Sequence, residues 1–112
     1  MRVDDLGFFG NIWVRQIKLE KFGDLLDGHK HHFDHVSFLT KGSVSVEVEG
    51  KEPKVFNAPT FVIMKKELEH KVIALEDDVD WWCVFALRDL DGSVVEIYNG
   101  KHNPLSAAAI EE

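Results

Sequence analysis

Short runs of apolar or alternating residues recur along this chain between turn signals, and no segment before the C-terminal tail sustains a helical period. Ile12 to Leu19 is the first run, and Gly23 and Gly28 bracket a loop after it. Val36 to Thr40 leads into Lys41-Gly42, a hairpin signal, after which Val44, Val46 and Val48 alternate with Ser45, Glu47 and Glu49. That alternation predicts a strand with one face in water. Gly50 to Pro53 turns the chain again, Thr60 to Met64 reads as a short buried run, and His70 to Leu75 as the next, broken by Glu76-Asp77-Asp78. Trp81 to Leu87 is apolar on both faces, which requires cover on both sides by a sheet, the tail or a second subunit. Asp91-Gly92 marks a further turn, Val94 to Tyr98 reads as a last strand, and Pro104 to Glu112 as a helical turn or a frayed end.

The pattern predicts one all-β unit of about eight or more short strands, arranged as a sandwich or barrel. A length of 112 residues supports one hydrophobic core and is too short for two, so every functional side chain is expected within one domain. Composition agrees with a soluble globule, at 45% hydrophobic and 29% charged residues, and no window has the apolar length of a membrane span. The start, Met1-Arg2-Val3-Asp4-Asp5, has no apolar stretch of the kind a signal peptide carries. The single cysteine, Cys83, has no partner for an intramolecular disulfide, and a cytoplasmic location is the expectation. A net charge of -7 argues against a nucleic-acid partner, because phosphate binding needs a cationic surface.

The histidines carry the candidate chemistry. His29, His31 and His35 fall within seven residues, and His70 lies further along, in a chain with six histidines in all. Neutral imidazole is the commonest metal ligand. In a strand His29 and His31 point to one face and Lys30 to the other. His35 would lie about 13 Å beyond His31 on a straight strand, at roughly 3.3 Å per residue, too far to share an ion. A corner at His32-Phe33-Asp34 would bring it back on the next strand, with His70 arriving from a third, as the inward face of a small barrel allows. His32 falls out of phase with the pair and His102 lies in the tail; both are expected to face solvent.

These residues resemble the first motif of the cupin superfamily: Gly, five residues, His-x-His, three or four residues, Glu, six residues, Gly. Here Gly23 is followed by five residues, His29-Lys30-His31, three residues, His35 in the Glu position, six residues and Gly42. The second motif, Pro-x-Gly-x-x-His, is represented by Lys65-Lys66-Glu67-Leu68-Glu69-His70, of which His70 alone is a signature residue. The resemblance, over about residues 11 to 88, implies a single-domain double-stranded β-helix, or jelly-roll barrel, with residues 89 to 112 as a C-terminal extension. It implies His29, His31, His35 and His70 as ligands of one divalent transition ion, iron first, with nickel, zinc, manganese, copper or cobalt as alternatives. An imidazole in place of the carboxylate leaves the ion its full formal charge, which favours an anionic further ligand.

The resemblance allows a dioxygenase, an isomerase or a lyase acting on a small organic acid. It equally allows a non-catalytic module that binds a metal or small ligand, because four protein ligands approach the closed sets of structural sites. Trp13, Phe33, Phe61, Trp81, Trp82 and Phe85 are expected mostly in the core. Arg15 would anchor an anionic ligand if its side of the first strand faces inward, and is otherwise a solvated or ion-paired residue. Of the two acids before His70, Glu69 points away by alternation, leaving Glu67 or neither to contact it. A homodimer is expected, with Trp81 to Leu87 as a candidate contact strand.

Overall fold

A computed structural model of the chain describes residues 1–9, 11–28, 34–88, 91 and 93. The described residues form strands β1 (Arg2–Phe9), β2 (Ile12–Leu19), β3 (Leu25–Asp27), β4 (His35–Lys41), β5 (Ser43–Val48), β6 (Lys54–Asn57), β7 (Thr60–Met64), β8 (His70–Ala74) and β9 (Val79–Ala86). They build two antiparallel sheets, one of five strands in the order β1-β2-β9-β4-β7 and one of four in the order β3-β8-β5-β6. The all-β expectation holds, and no helix among the described residues is long and apolar enough to cross a membrane.

Alternation along each strand separates inside from outside. In β9, Val79, Trp81, Cys83 and Phe85 are buried while Asp80, Trp82, Val84 and Ala86 lie half-buried on the other face. Pairing extends this division across the larger sheet. One inward row runs Ile17–Trp81–Leu39 and the next Arg15–Cys83–Ser37–Val62. Behind them Trp13 pairs with Phe85, whose ring lies 4.5 Å from that of His35, itself paired with Met64. The outward rows are Val14–Val84–Val36–Ile63 and Gln16–Trp82–Phe38–Phe61. Val44, Val46, Val72 and Ala74 face the larger sheet from the smaller one and close the core.

The structure corrects several expectations. Lys41-Gly42 is not a hairpin: β4 pairs with β7 and β9, β5 with β6 and β8, and Gly42 is the corner where the chain passes between sheets. Gly42 has φ +91°, and a Cβ there would stand 2.8 Å from Val79 Cγ2. Only glycine meets both the left-handed backbone and the close approach. The loop expected between Gly23 and Gly28 contains β3, and β1 and β6 had no clear signal in the sequence. β7 is not buried throughout, because Phe61 and Ile63 point outward. The expected last strand, Val94 to Tyr98, and the tail after it lie outside the described residues.

Gly42 and Gly50 separate the two demands on a turn glycine. Gly50 has φ +76° but open space where a Cβ would stand. Gly50→Ala is therefore expected to cost about 1 kcal/mol, from backbone conformation alone. Gly42→Ala is expected to cost about 2 to 3 kcal/mol, because the methyl also displaces Val79. Paired denaturant melts of the two variants check the difference.

Candidate functional site

A cavity of about 150 Å³ opens between the sheets, and His35 from β4 and His70 from β8 both line it. The two imidazoles thus come to one space from opposite sheets. His29 and His31 lie outside the described residues, as do His32 and Phe33 of the expected corner. The chain is nonetheless fixed at its entry to that segment. Gly28 lines the cavity, its N–H donates to the His70 carbonyl at 2.8 Å, and a Cβ on it would stand 2.6 Å from that oxygen. Asp34 and His35 hold the other end: Asp34 Oδ1 accepts from the Lys66 N–H at 2.7 Å, and His35 begins β4. Among the described residues no group of three or more His, Cys, Asp or Glu is close enough to hold a metal ion.

Burial holds the His70 imidazole below its ordinary pKa of 6.5, against the opposing pull of the Glu49 charge and a hydrogen bond to the Leu68 backbone. It is a neutral ring at pH 7, the protonation state that a metal requires. The carboxylate beside it comes from Glu49, at the end of β5, and not from Glu67 or Glu69. Glu49 reaches this position because Val48 pairs with His70, and its Oε1 accepts from the Glu69 N–H at 3.0 Å. No linear motif announces such a contact, which depends on strand pairing between segments twenty residues apart.

The rest of the cavity wall is mostly apolar, with Trp13, Trp81, Phe85 and Met64 among its members. Apart from Asp27 on β3, the polar exceptions share one inward row. Arg15 faces inward and is also ion-paired: its Nε donates to Asp5 Oδ1 at 2.7 Å, and its guanidinium lies 4.7 Å from the Trp13 ring centre. Ser37 Oγ donates to Cys83 Sγ at 3.6 Å. Burial pushes the Cys83 thiol up, and the Ser37 hydrogen bond and the Arg15 charge only partly oppose it. Cys83 is therefore a protonated, weakly reactive thiol at neutral pH. Of the aromatic residues expected in the core, Trp13, Trp81 and Phe85 are there, while Trp82 lies half-buried on the outer face and Phe61 is 58% exposed.

By sequence, no family model and no curated protein matches the chain. Solved structures do match by shape. An RmlC-like cupin with a double-stranded β-helix fold from Methanocaldococcus jannaschii superposes with a TM-score of 0.66 at 16% identity, over 76% of this chain and 78% of that one. KdgF from Halomonas sp. gives 0.67 at 21% identity, over 80% and 82%. An RmlC-like cupin from Shewanella frigidimarina gives 0.63 at 22%, over 78% and 77%. The fold is that of a small cupin. In cupin terms Glu67 stands where the second motif has its glycine, and it keeps the glycine's left-handed conformation, with φ 64°.

Three outcomes follow. The unfolded chain protonates His70 at about 6.5, more readily than the folded one does, so its contribution to stability is complete above that pH and is lost as pH falls through the folded pKa. Glu49→Gln removes the opposing charge and is expected to lower the His70 pKa further, read from the imidazole resonances in an NMR titration. Glu67→Gly relieves a left-handed backbone on a non-glycine residue and is expected to leave stability unchanged or raise it by up to about 1 kcal/mol in a thermal melt.

Proposed function

We propose that the cavity is a metal-dependent site for a small organic acid, in which His29, His31, His35 and His70 hold one divalent transition ion. The observation that carries this reading is the convergence of His35 and His70, from strands of opposite sheets, on one cavity. The Gly28 N–H bond to the His70 carbonyl supports it, since it starts the His29-Lys30-His31 segment beside one of the two rings. The donor chemistry fits as well. An imidazole kept neutral by burial is ready to bind, an all-nitrogen set suits iron, nickel, copper, cobalt or zinc, and the protonated Cys83 does not compete.

The ion would supply Lewis acidity or, for iron, redox chemistry, in a reaction of dioxygenase, isomerase or lyase type. This chain's residues would do the rest. Arg15 offers five N–H donors, and Asp5 engages its Nε and, at 3.5 Å, one Nη2 hydrogen. The remaining donors can receive a carboxylate at the cavity wall. Trp13, Trp81 and Phe85 exclude water from the bound molecule's apolar side, and Met64 adapts to its shape. A volume of about 150 Å³ limits that molecule to the size class of a benzene ring, a volume known to hold benzene in an engineered cavity.

The small volume also favours a second reading, a non-catalytic cupin that binds a metal or a small anionic effector in the same space. Metal analysis of tag-free protein is expected to give about one transition ion per chain, with His35→Ala and His70→Ala each losing most of it. Wild-type protein that takes up none of these ions, or variants that keep the full metal content, would overturn the metal site. Turnover of small keto or hydroxy acids by the loaded protein, followed as O₂ uptake or product formation, separates the enzyme from the binding module.

A further inference from the structure

Two hydrogen-bond donors in the cavity wall have no partner. Trp13 Nε1 and Trp81 Nε1 are both buried without an acceptor among the described residues. Trp82 Nε1, on the outer face, differs: it donates to Thr40 Oγ1 at 3.1 Å and to Asp80 Oδ2 at 3.2 Å. A buried N–H without an acceptor is destabilising, and bulk water does not reach either of the two to offset the loss.

Strand pairing groups both indoles around Arg15. Arg15 pairs with Cys83, in the row between Trp13–Phe85 and Ile17–Trp81. Trp13 is therefore its neighbour two places along β2, and Trp81 its diagonal neighbour on β9. Such neighbours stand roughly 7 Å apart at the backbone, a gap that long and aromatic side chains bridge. The guanidinium lies 4.7 Å from the Trp13 ring centre, and all three residues line the cavity.

We infer that Trp13 and Trp81 join Arg15 in a carboxylate receptor, and that the acid it selects has an apolar body without hydroxyl groups. This rests on the reading of the cavity as a site for a small acid and is independent of the metal. An ionised carboxylate only accepts hydrogen bonds, whereas an indole N–H and a guanidinium only donate them. The wall is poor in acceptors for anything else. Among the described lining residues the side-chain oxygens are those of Ser37, whose hydroxyl donates to Cys83, and of Asp27, which is exposed. The hydroxyl hydrogens of a polyol acid would therefore be buried against Trp81, Phe85 and Met64 without acceptors. A branched alkyl or aryl body leaves no polar group unpaired there, so the receptor discriminates by what the cavity fails to offer as much as by what it supplies.

The chain has three tryptophans, so a nitrogen–proton correlation spectrum holds three indole signals, and Trp82→Phe identifies the one that belongs to the outer face. Isovalerate titrated into the wild-type protein is expected to move the Trp13 and Trp81 signals and to leave that of Trp82 in place. The same movement is expected after treatment with a chelator. Metal content is measured separately, so a chain that binds no metal can still show the receptor, and a metal-loaded chain can still lack it. Glycerate, similar in size but dihydroxylated, is expected to bind at least tenfold more weakly. Trp13→Phe, which keeps an aromatic ring beside Arg15 and deletes the donor, is expected to weaken isovalerate about tenfold, while Trp82→Phe binds as wild type does. Should Trp13→Phe fail to fold, the wild-type titrations with the two acids decide. Trp13 and Trp81 signals that stay still, that move only together with Trp82, or that move only before chelation would overturn the inference, as would glycerate bound as tightly as isovalerate.

Discussion

The pairing of β9 between β2 and β4 is the constraint on which both faces of the larger sheet depend. Each inward row and each outward row described above passes through it. Because strand side chains alternate with a period of two, a one-residue slip of β9 would turn Trp82 and Val84 into the cavity and expel Trp81, Cys83 and Phe85. The fully buried Trp81 makes that slip expensive, since it would move the large ring from the closed core to the open face of the sheet. One register therefore sets the cavity wall and the outward rows together.

Against so apolar an interior, the polar side chains are informative. Ser37 and His70 are the buried polar residues of the described core, and both line the cavity, with the part-buried Arg15 beside them. Each has its desolvation cost offset locally. Arg15 has Asp5, Ser37 has the Cys83 sulfur, and His70 has the Leu68 backbone and the Glu49 charge. A core built for stability alone would place apolar side chains at these three positions. Their presence in a single inward zone marks where this fold departs from purely apolar packing.

The sequence made the main strands legible because β2, β4, β5, β7, β8 and β9 are apolar on at least one alternating face. It hid β1, whose Arg2, Asp4 and Asp5 are the charges of a protected edge strand, interrupted by an irregularity between Asp5 and Gly7. It hid β3 because three residues carry no measurable period. Lys41-Gly42 read as a hairpin because composition marks a turn without saying whether the following strand returns beside its predecessor or joins another sheet. For the site, spacing pointed to His35 and His70, which the fold brings to one cavity, while His29 and His31 fall outside the described residues. It missed Glu49, whose place beside His70 exists only through the Val48 to His70 pairing.

The segment that corresponds to the second cupin motif shows which interactions hold His70 in place. Neither the proline nor the glycine of that motif is present, yet the turn survives, with Glu67 in the left-handed conformation. What holds residues 69 and 70 is a set of backbone-directed bonds from two neighbouring strands. Glu49 N–H donates to the Glu69 carbonyl at 3.0 Å, Glu49 Oε1 accepts from the Glu69 N–H at 3.0 Å, and Gly28 N–H donates to the His70 carbonyl at 2.8 Å. These bonds pin the chain on both sides of the imidazole and take up the cost of the strained turn before it. The motif residues can therefore drift while the histidine stays, because its position is enforced by β3 and β5 rather than by the turn that delivers it.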